Sequence, residues 1–308
     1  SIITYMLMIS KLFFNLSLAG IFCFYNLNAE AAKVRYAFED KEEVRENVSN
    51  GLHDMLEVKI TKNVKKYINS YLIRGKSGTQ NIIGNSTIYF PIYETYFDAF
   101  DLPDELKYLS VIESSLNPNA TSPAGAIGLW QFMAPTAREL GLVIDDYVDE
   151  RKDIYRSTEA AAKYLKELHD RYDDWGLAIA AYNCGYGRVD RELRKSGGKD
   201  FWDIRSKLPK ETQHYMDRFI AINYAIKNYQ FYNLRPRYPD YTLQMTQVQK
   251  IHKRYSFKKI AVLTGIDEKI ITLLNPSYRK GIIPPNRDGY YLVLPAIGVK
   301  EDWQQSQG

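Results

Sequence analysis

The sequence predicts a mainly α-helical body joined to a small strand–helix–helix–strand module. Three observations carry this. Apolar residues recur at helical spacing over most of residues 40–230. The stretch Arg235-Pro236-Arg237-Tyr238-Pro239 then interrupts the pattern as a linker. Beyond it two β-patterned runs, 245–251 and 290–294, bracket two short capped helices. The bulk composition agrees: 308 residues, 45% apolar and 25% charged, is ordinary globular protein. That length suits one large domain and a smaller one.

Residues 1–30 are expected to be a secretory signal: Lys11, an apolar run from Leu12 to Leu27, then small residues at Ala29, Ala31 and Ala32 where a peptidase would cut. Asn15 and Asn26 interrupt the run too early for a membrane span. An N-terminal helical segment follows over 33–84. Val44, Val48, Leu52, Met55 and Leu56 form one stripe, continued by Val64, Tyr67, Ile68, Tyr71 and Leu72. Residues 75–84 read as a loop. The main domain is expected over 85–235, the module over 243–297 and a tail over 298–308.

Within the main domain, Pro91 to Phe100 is a helix candidate. Pro103 opens the next, because proline at a first helical position needs no N–H, and Asp104 and Glu105 suit the positive end of the dipole. Asn117-Pro118 ends it. Residues 119–135 form an irregular loop. Helices follow over 157–169, over 174–183 closed by Gly185, and over 209–229 with the stripe Tyr215, Phe219, Ile222 and Ile226. In the module, Ser256 caps a helix ending at Gly265, and Asp267 caps another ending at Asn275-Pro276.

Composition excludes several chemistries. The two cysteines, Cys23 and Cys184, make no Cys-x-x-Cys pair, and only Cys184 survives signal removal, so a zinc ribbon or disulfide framework is out. The four histidines have no ligand spacing, so no metal and no other cofactor is expected. The net charge of +4 is uneven: residues 241–308 carry +5 and the remainder −1. A solvated basic face accounts for this, and no nucleic-acid partner is expected. Tyrosine is abundant, 25 against 13 Phe and 4 Trp. Its ring and hydroxyl suit surfaces that bind polar, ring-shaped ligands, but replacement of Phe in core and rim is the plainer reading.

Glu113 stands out. It extends the stripe Leu102, Leu106, Leu109 onto the core-facing side of its helix. A carboxylate there loses hydration, so its pKa should rise, which suits a general acid at neutral pH. A buried structural glutamate satisfied by an arginine or a helix N-terminus fits the same spacing. Ser114 and Asn117 lie close by. The loop 122–128 carries glycines that admit close backbone approach, and Trp130 and Gln131 supply a stacking face and an amide. Tyr182 and Asn183 end an apolar helix, where core packing is the plainer reading of Tyr182. Glu211 and Tyr215 share one face of the last long helix.

Three segments in order, ESSLNPNATSPAGAIGLWQFM (113–133), AYNCGYG (181–187) and ETQHY (211–215), resemble the lysozyme-like lytic transglycosylases, and most of all the membrane-bound murein transglycosylase D type. The resemblance covers about residues 85–230. It implies a goose-type-lysozyme (SLT) fold and places Glu113 as the single catalytic acid and base. Ser114, Gln131, Tyr182, Asn183, Glu211 and Tyr215 fall at substrate-binding positions. Tyr186 departs from the family, which commonly has proline there.

The resemblance further implies the reaction. Glu113 protonates the glycosidic oxygen between N-acetylmuramic acid and N-acetylglucosamine, and the N-acetyl group steadies the charge at C1. Glu113 then takes the proton of the C6 hydroxyl as it attacks C1, closing a 1,6-anhydro ring without water. Peptidoglycan glycan strands are the expected partner, in the periplasm, with peripheral association to membrane or wall left open. The C-terminal unit resembles a LysM module, through Ile260-Ala261, Leu273-Leu274-Asn275-Pro276 and Leu292-Val293-Leu294-Pro295. The usual Gly-Asp before its first helix is absent, and Arg254-Tyr255-Ser256 stands there. Glycan contact by this module is favoured over mere packing. A hydrolytic muramidase on the same fold and a non-catalytic wall-binding protein are the alternatives.

Overall fold

The computed structural model describes residues 52–298 and Trp303. The expected signal and the first part of the N-terminal stripe, Val44 and Val48, lie outside the described residues. Helix α1 (Lys62–Asn69) starts at Thr61, whose hydroxyl accepts the Val64 N–H at 3.1 Å. Val64, Ile68 and Leu72 are fully buried, as their spacing predicts. Each such side chain contributes roughly 1.5–3 kcal/mol of transfer free energy. The Thr61 hydroxyl also donates to Asp217, which Arg205 holds from another direction at 2.8 Å. This segment is thereby tied to the main body.

The loop expected over 75–84 is helical. Helix α2 (Lys76–Ala99) runs through it and carries Pro91 in its interior, so Pro91 does not open a helix. The reason is tertiary. A Cβ on Gly84 would lie 1.8 Å from the Arg237 carbonyl oxygen, so the glycine serves close approach and not a turn. Arg237 N–H donates to the Gln80 carbonyl at 3.0 Å, and the Gln80 amide donates to the Arg235 carbonyl at 2.5 Å. The stretch read as a linker is thus a strap lying along α2.

A 3₁₀ turn (Asp104–Lys107) leads into α3 (Tyr108–Ser114). This helix stops before the expected Asn117, because Ser115 and Leu116 both take left-handed backbone (φ 53° and 61°). The following loop is pinned by isolated bridges, Thr121 to Ile127 and Ile127 to Phe132. After α4 (Ala134–Glu139) comes α5 (Ile154–Tyr172), capped by Asp153. Asp174 caps α6 (Trp175–Cys184), which Gly185 closes at φ 83°. Two helices have no clear signal in the sequence, α7 (Tyr186–Ser196) and the single turn α8 (Phe201–Ile204). Helix α9 (Lys210–Asn228) packs against α1, α3 and α6 and is the centre of the body.

The module follows the short helix α10 (Tyr241–Gln244). Strand β1 (Thr246–Ile251) pairs antiparallel with β4 (Tyr290–Pro295), Val248 opposite Val293. Between them lie β2 (Tyr255–Ser256), α11 (Phe257–Thr264), α12 (Glu268–Leu274) and β3 (Ile282–Ile283). The two-residue β2–β3 pair is too short to read from sequence. Asn275 joins the layers: its amide nitrogen donates to the carbonyls of Ile271 and Val293, and its carbonyl accepts the Val293 N–H. Trp303, expected in the tail, is buried in this core beside Tyr255. The architecture is therefore mainly α with a small βααβ module, as expected. Among the described residues no helix is long and apolar enough to cross a membrane.

Candidate active site

Helices α3, α6 and α9 converge on a cleft of about 730 Å³, whose lining includes Glu113, Gln131, Tyr182, Asn183 and Glu211. Glu113 is the next-to-last residue of α3, and the left-handed turn at Ser115 and Leu116 carries the chain sharply away behind it. Two adjacent non-glycine residues in that region are costly, about 1–2 kcal/mol each, and such strain gathers at functional sites.

Tyr215, one turn into α9 and 1% exposed, donates its hydroxyl to Glu113 Oε1 at 2.6 Å. Burial pushes the Glu113 carboxyl up to about 7, and the Glu211 charge adds to the rise; the Tyr215 hydrogen bond and the Arg218 guanidinium pull it back. The carboxyl is therefore part protonated at neutral pH, able to give a proton and to take one. Burial and the facing Glu113 carboxylate hold the phenols of Tyr182 and Tyr215 well above their ordinary range, so both remain donors.

The remaining residues are held by defined partners. Tyr182 donates to the Trp130 carbonyl at 2.8 Å. The Asn183 amide oxygen accepts from the Thr212 hydroxyl at 2.8 Å, and both residues line the cleft. Gln131 sits at φ 51° and donates to the carbonyls of Gly128 (2.8 Å) and Ala120 (3.2 Å). Glu211 is exposed on the cleft wall.

Two residues sit differently from their sequence reading. Ser114 donates to the carbonyls of Ser110 and Leu129, so its hydroxyl ties α3 to the following loop. Trp130, read as a stacking face, is 1% exposed; its ring packs on Tyr93 and Phe97, and its indole N–H donates to Thr158. The Gly-rich loop turns the indole inward, and the Trp130 carbonyl accepts from Tyr182 at the cleft.

Sequence reasoning missed Tyr164, Met133 and Thr212 in the lining and Arg218 behind it. Tyr164 had a faint signal: it lies four residues after Ala160 and three after Ala161, an aromatic ring on an otherwise alanine-narrow face. Its ring packs on Tyr182 at 5.7 Å between centroids.

With this geometry in view, comparison with known proteins is direct. The family model described as Transglycosylase SLT domain matches residues 100–205, and that described as Lytic transglycosylase MltD, LysM-like domain matches 244–307. Membrane-bound lytic murein transglycosylase D of Escherichia coli (strain K12) is 32% identical over 198 residues, 63% of this chain and 43% of the relative. Membrane-bound lytic murein transglycosylase F of Shewanella pealeana is 35% identical over 134 residues, 39% of this chain and 26% of that one. The chain thus spans less than half the length of these relatives. The likeness to the crystal structure of the 70 kDa soluble lytic transglycosylase SLT70 from Escherichia coli is distant: TM-score 0.39 at 22% identity, covering 65% of this chain and 30% of that chain. The chain is thus similar to the transglycosylase SLT domain over residues 100–205 and to the LysM-like domain of lytic transglycosylase MltD over residues 244–307.

Proposed function

We propose that the chain is a peptidoglycan lytic transglycosylase. It cleaves the β-1,4 bond between N-acetylmuramic acid and N-acetylglucosamine without water and leaves 1,6-anhydromuramic ends. The observation that carries this reading is Glu113: a carboxyl on the cleft wall, held by Tyr215 at 2.6 Å and poised at about 7. One group that is both a competent acid and a competent base near neutrality suits a reaction that needs both in turn.

The steps follow from the surroundings. Glu113, protonated, gives its proton to the glycosidic oxygen as the bond to C1 breaks. The carboxylate left behind is steadied by the Tyr215 hydroxyl. Asn183 lines the wall where the substrate's N-acetyl group is held, and the oxygen of that group attacks C1 and relieves the charge there. Glu113 then accepts the proton of the C6 hydroxyl as that oxygen displaces the N-acetyl group. Gln131 and Tyr182 shape the wall beside the glycan, and Ser114 acts through the loop it fastens.

Glu211 on the same wall is the one feature that favours a hydrolytic muramidase, because a second carboxylate can position water. Mass spectrometry of digested sacculi separates the two. Anhydro products, lighter by one water, are expected from the native chain and none from Glu113→Gln. Hydrated muropeptides from the native chain would overturn the non-hydrolytic reading. Full activity in the Glu113→Gln protein would overturn the site.

The substrate lies outside the cytoplasm, so we assign the enzyme to the periplasm, exported by the signal expected at 1–30, with peripheral association to wall or membrane. We also place the start of the catalytic unit before residue 85, since α2 crosses that point unbroken and α1 packs on α9.

A further inference from the structure

We propose that the C-terminal module shapes the wall of the cleft through Arg279, which acts as a positioning residue for Arg151 and the loop that Arg151 holds. Only the activity measurement below rests on the transglycosylase reading.

The module is joined to the body by more than its strap. Val148, on the segment before α5, is 1% exposed and sits in the module's own core with Phe257, Tyr278 and Tyr290. Asp149 N–H donates to the Ser277 carbonyl at 2.8 Å, and Arg279 N–H donates to the Tyr147 carbonyl at 2.9 Å. The contact is therefore built into both backbones, and Arg279 is placed by it.

At this junction lies one carboxylate with two guanidinium partners. Asp149, 2% exposed, accepts Arg151 Nε on Oδ1 and Arg151 Nη2 on Oδ2, both at 2.9 Å. Oδ2 also accepts Arg279 Nη2 at 2.8 Å. Burial works against the charge on Asp149, but Arg151 and then Arg279 outweigh it and hold the carboxyl below its usual range.

The fork geometry makes this consequential. A guanidinium is planar, so fixing its Nε and Nη2 on one carboxylate aims its Nη1. Arg151 Nη1 donates to the carbonyls of Gly125 (3.2 Å) and Phe132 (3.3 Å). Ser122, Ala124 and Gln131 of that same loop line the cleft. A Cβ on Gly128 would lie 1.9 Å from the Arg151 carbonyl oxygen, so the loop rests directly on this residue. Arg279 steadies the plane of Asp149, Asp149 the plane of Arg151, and Arg151 the wall.

The charges identify the right variant. Removing Asp149 would strand a buried arginine and threaten folding. Removing Arg279 leaves Asp149 and Arg151 paired one to one, and the Arg279 side chain is 45% exposed, so Arg279→Ala should fold. Amide hydrogen exchange is then followed by NMR in the full chain. The reporters are Ile127 N–H, bonded to the Phe132 carbonyl, and Gly128 N–H, bonded to the Ala120 carbonyl. Arg279→Ala should speed their exchange about 2- to 5-fold, the range expected for losing one half-exposed ion pair. Arg279→Lys should restore much of the protection. Lys280→Ala, which removes a neighbouring cation that lies over Tyr147 but has no bond to Asp149, should leave it unchanged.

In digestion of sacculi the half-saturating substrate concentration should rise for Arg279→Ala by a similar factor, with the maximal rate little changed. Equal exchange at Ile127 and Gly128 in the native and Arg279→Ala proteins would overturn the proposal. So would a uniform rise across all helices, which would mark a merely stabilising role. If the native chain releases no muropeptides, the transglycosylase reading fails, and the exchange measurement still decides this one.

Discussion

Among the described residues, every residue of the C-terminal module with left-handed backbone is a glycine: Gly265, Gly281, Gly289 and Gly298. In the body the same conformation falls also on Asp101, Ser115, Leu116, Gln131, Asp173 and Asn233, and three of these flank the cleft. The module's two helices start on Ser256 and Asp267, whose side chains accept the N–H groups of Lys259 and Lys269. Helix α3, which carries Glu113, has no side-chain cap. The module obeys local rules, whereas the region around Glu113 breaks them and is held in place by its neighbours. A surface that must present a poised carboxyl is built against the chain's own preferences, and packing around α9 supplies the restraint.

The largest expected effect tests whether tertiary contacts do override local preference in the body. Helix propensity alone favours alanine over glycine at an interior position by about 1 kcal/mol. At Gly84 the Cβ would meet the Arg237 carbonyl at 1.8 Å, so the strap must lift. Gly84→Ala is expected to lower stability by about 2–4 kcal/mol, through overpacking and the lost hydrogen bonds to Gln80. Urea unfolding checks it. A gain in stability would show that local preference governs the body as well.

That position also shows what the sequence could and could not reveal. Gly84 looks like a loop residue because composition cannot show that another segment lies against it. The stripes Val64, Ile68, Leu72 and Tyr215, Phe219, Ile222 were legible because each helix buries one face whatever it packs on. The cleft was legible through residue types in order, Glu113, Tyr182-Asn183 and Tyr215. The inward turn of Trp130 was not, since it depends on a pocket made by Tyr93 and Phe97 from another helix. Arg218, which acts through space on Glu113 from behind Tyr215, leaves no local trace either.

Next in size is the stability cost of Glu113 itself. Its pKa is raised from 4.5 to about 7 in the folded protein. The stabilisation of the protonated form is fully present below pH 4.5 and is lost as pH rises through about 7. Glutamine cannot ionise, so Glu113→Gln should gain about 1–3 kcal/mol over the native protein near pH 8 and almost nothing near pH 4. Asp153, also raised to about 7 by burial, remains in both proteins, so a smaller decline with pH should persist in the variant. Denaturant midpoints at the two pH values check both statements. An equal offset at both would show that Glu113 carries no such burden and would weaken the contrast with the module.

Tyr215→Phe sharpens the contrast from the other partner. The variant keeps the ring and removes the 2.6 Å hydrogen bond that favours the ionised carboxyl. The Glu113 pKa should then rise further, so the alkaline limb of the pH–rate profile on sacculi moves to higher pH. The maximal rate should fall on the order of 10-fold as the carboxyl loses its fixed orientation. An unmoved limb would mean that Tyr215 packs against Glu113 without tuning it.

The smallest effects form a matched pair of opposite sign. Ser115 is exposed at φ 53°, and glycine adopts that conformation at no steric cost. Ser115→Gly should therefore stabilise the protein by about 0.5–1 kcal/mol, less the extra freedom that glycine gives the unfolded chain. Gly265 takes φ 76° at the end of α11, with its N–H bonded to the Ala261 carbonyl at 2.9 Å. Gly265→Ala should destabilise by about 1 kcal/mol, because the module has already placed the best residue there. Thermal melts of the two variants beside the native chain measure both shifts. If Ser115→Gly stabilises but slows digestion of sacculi, the strained turn behind Glu113 is part of how the carboxyl is aimed. If it stabilises and leaves the rate unchanged, α9 alone holds Glu113 in place.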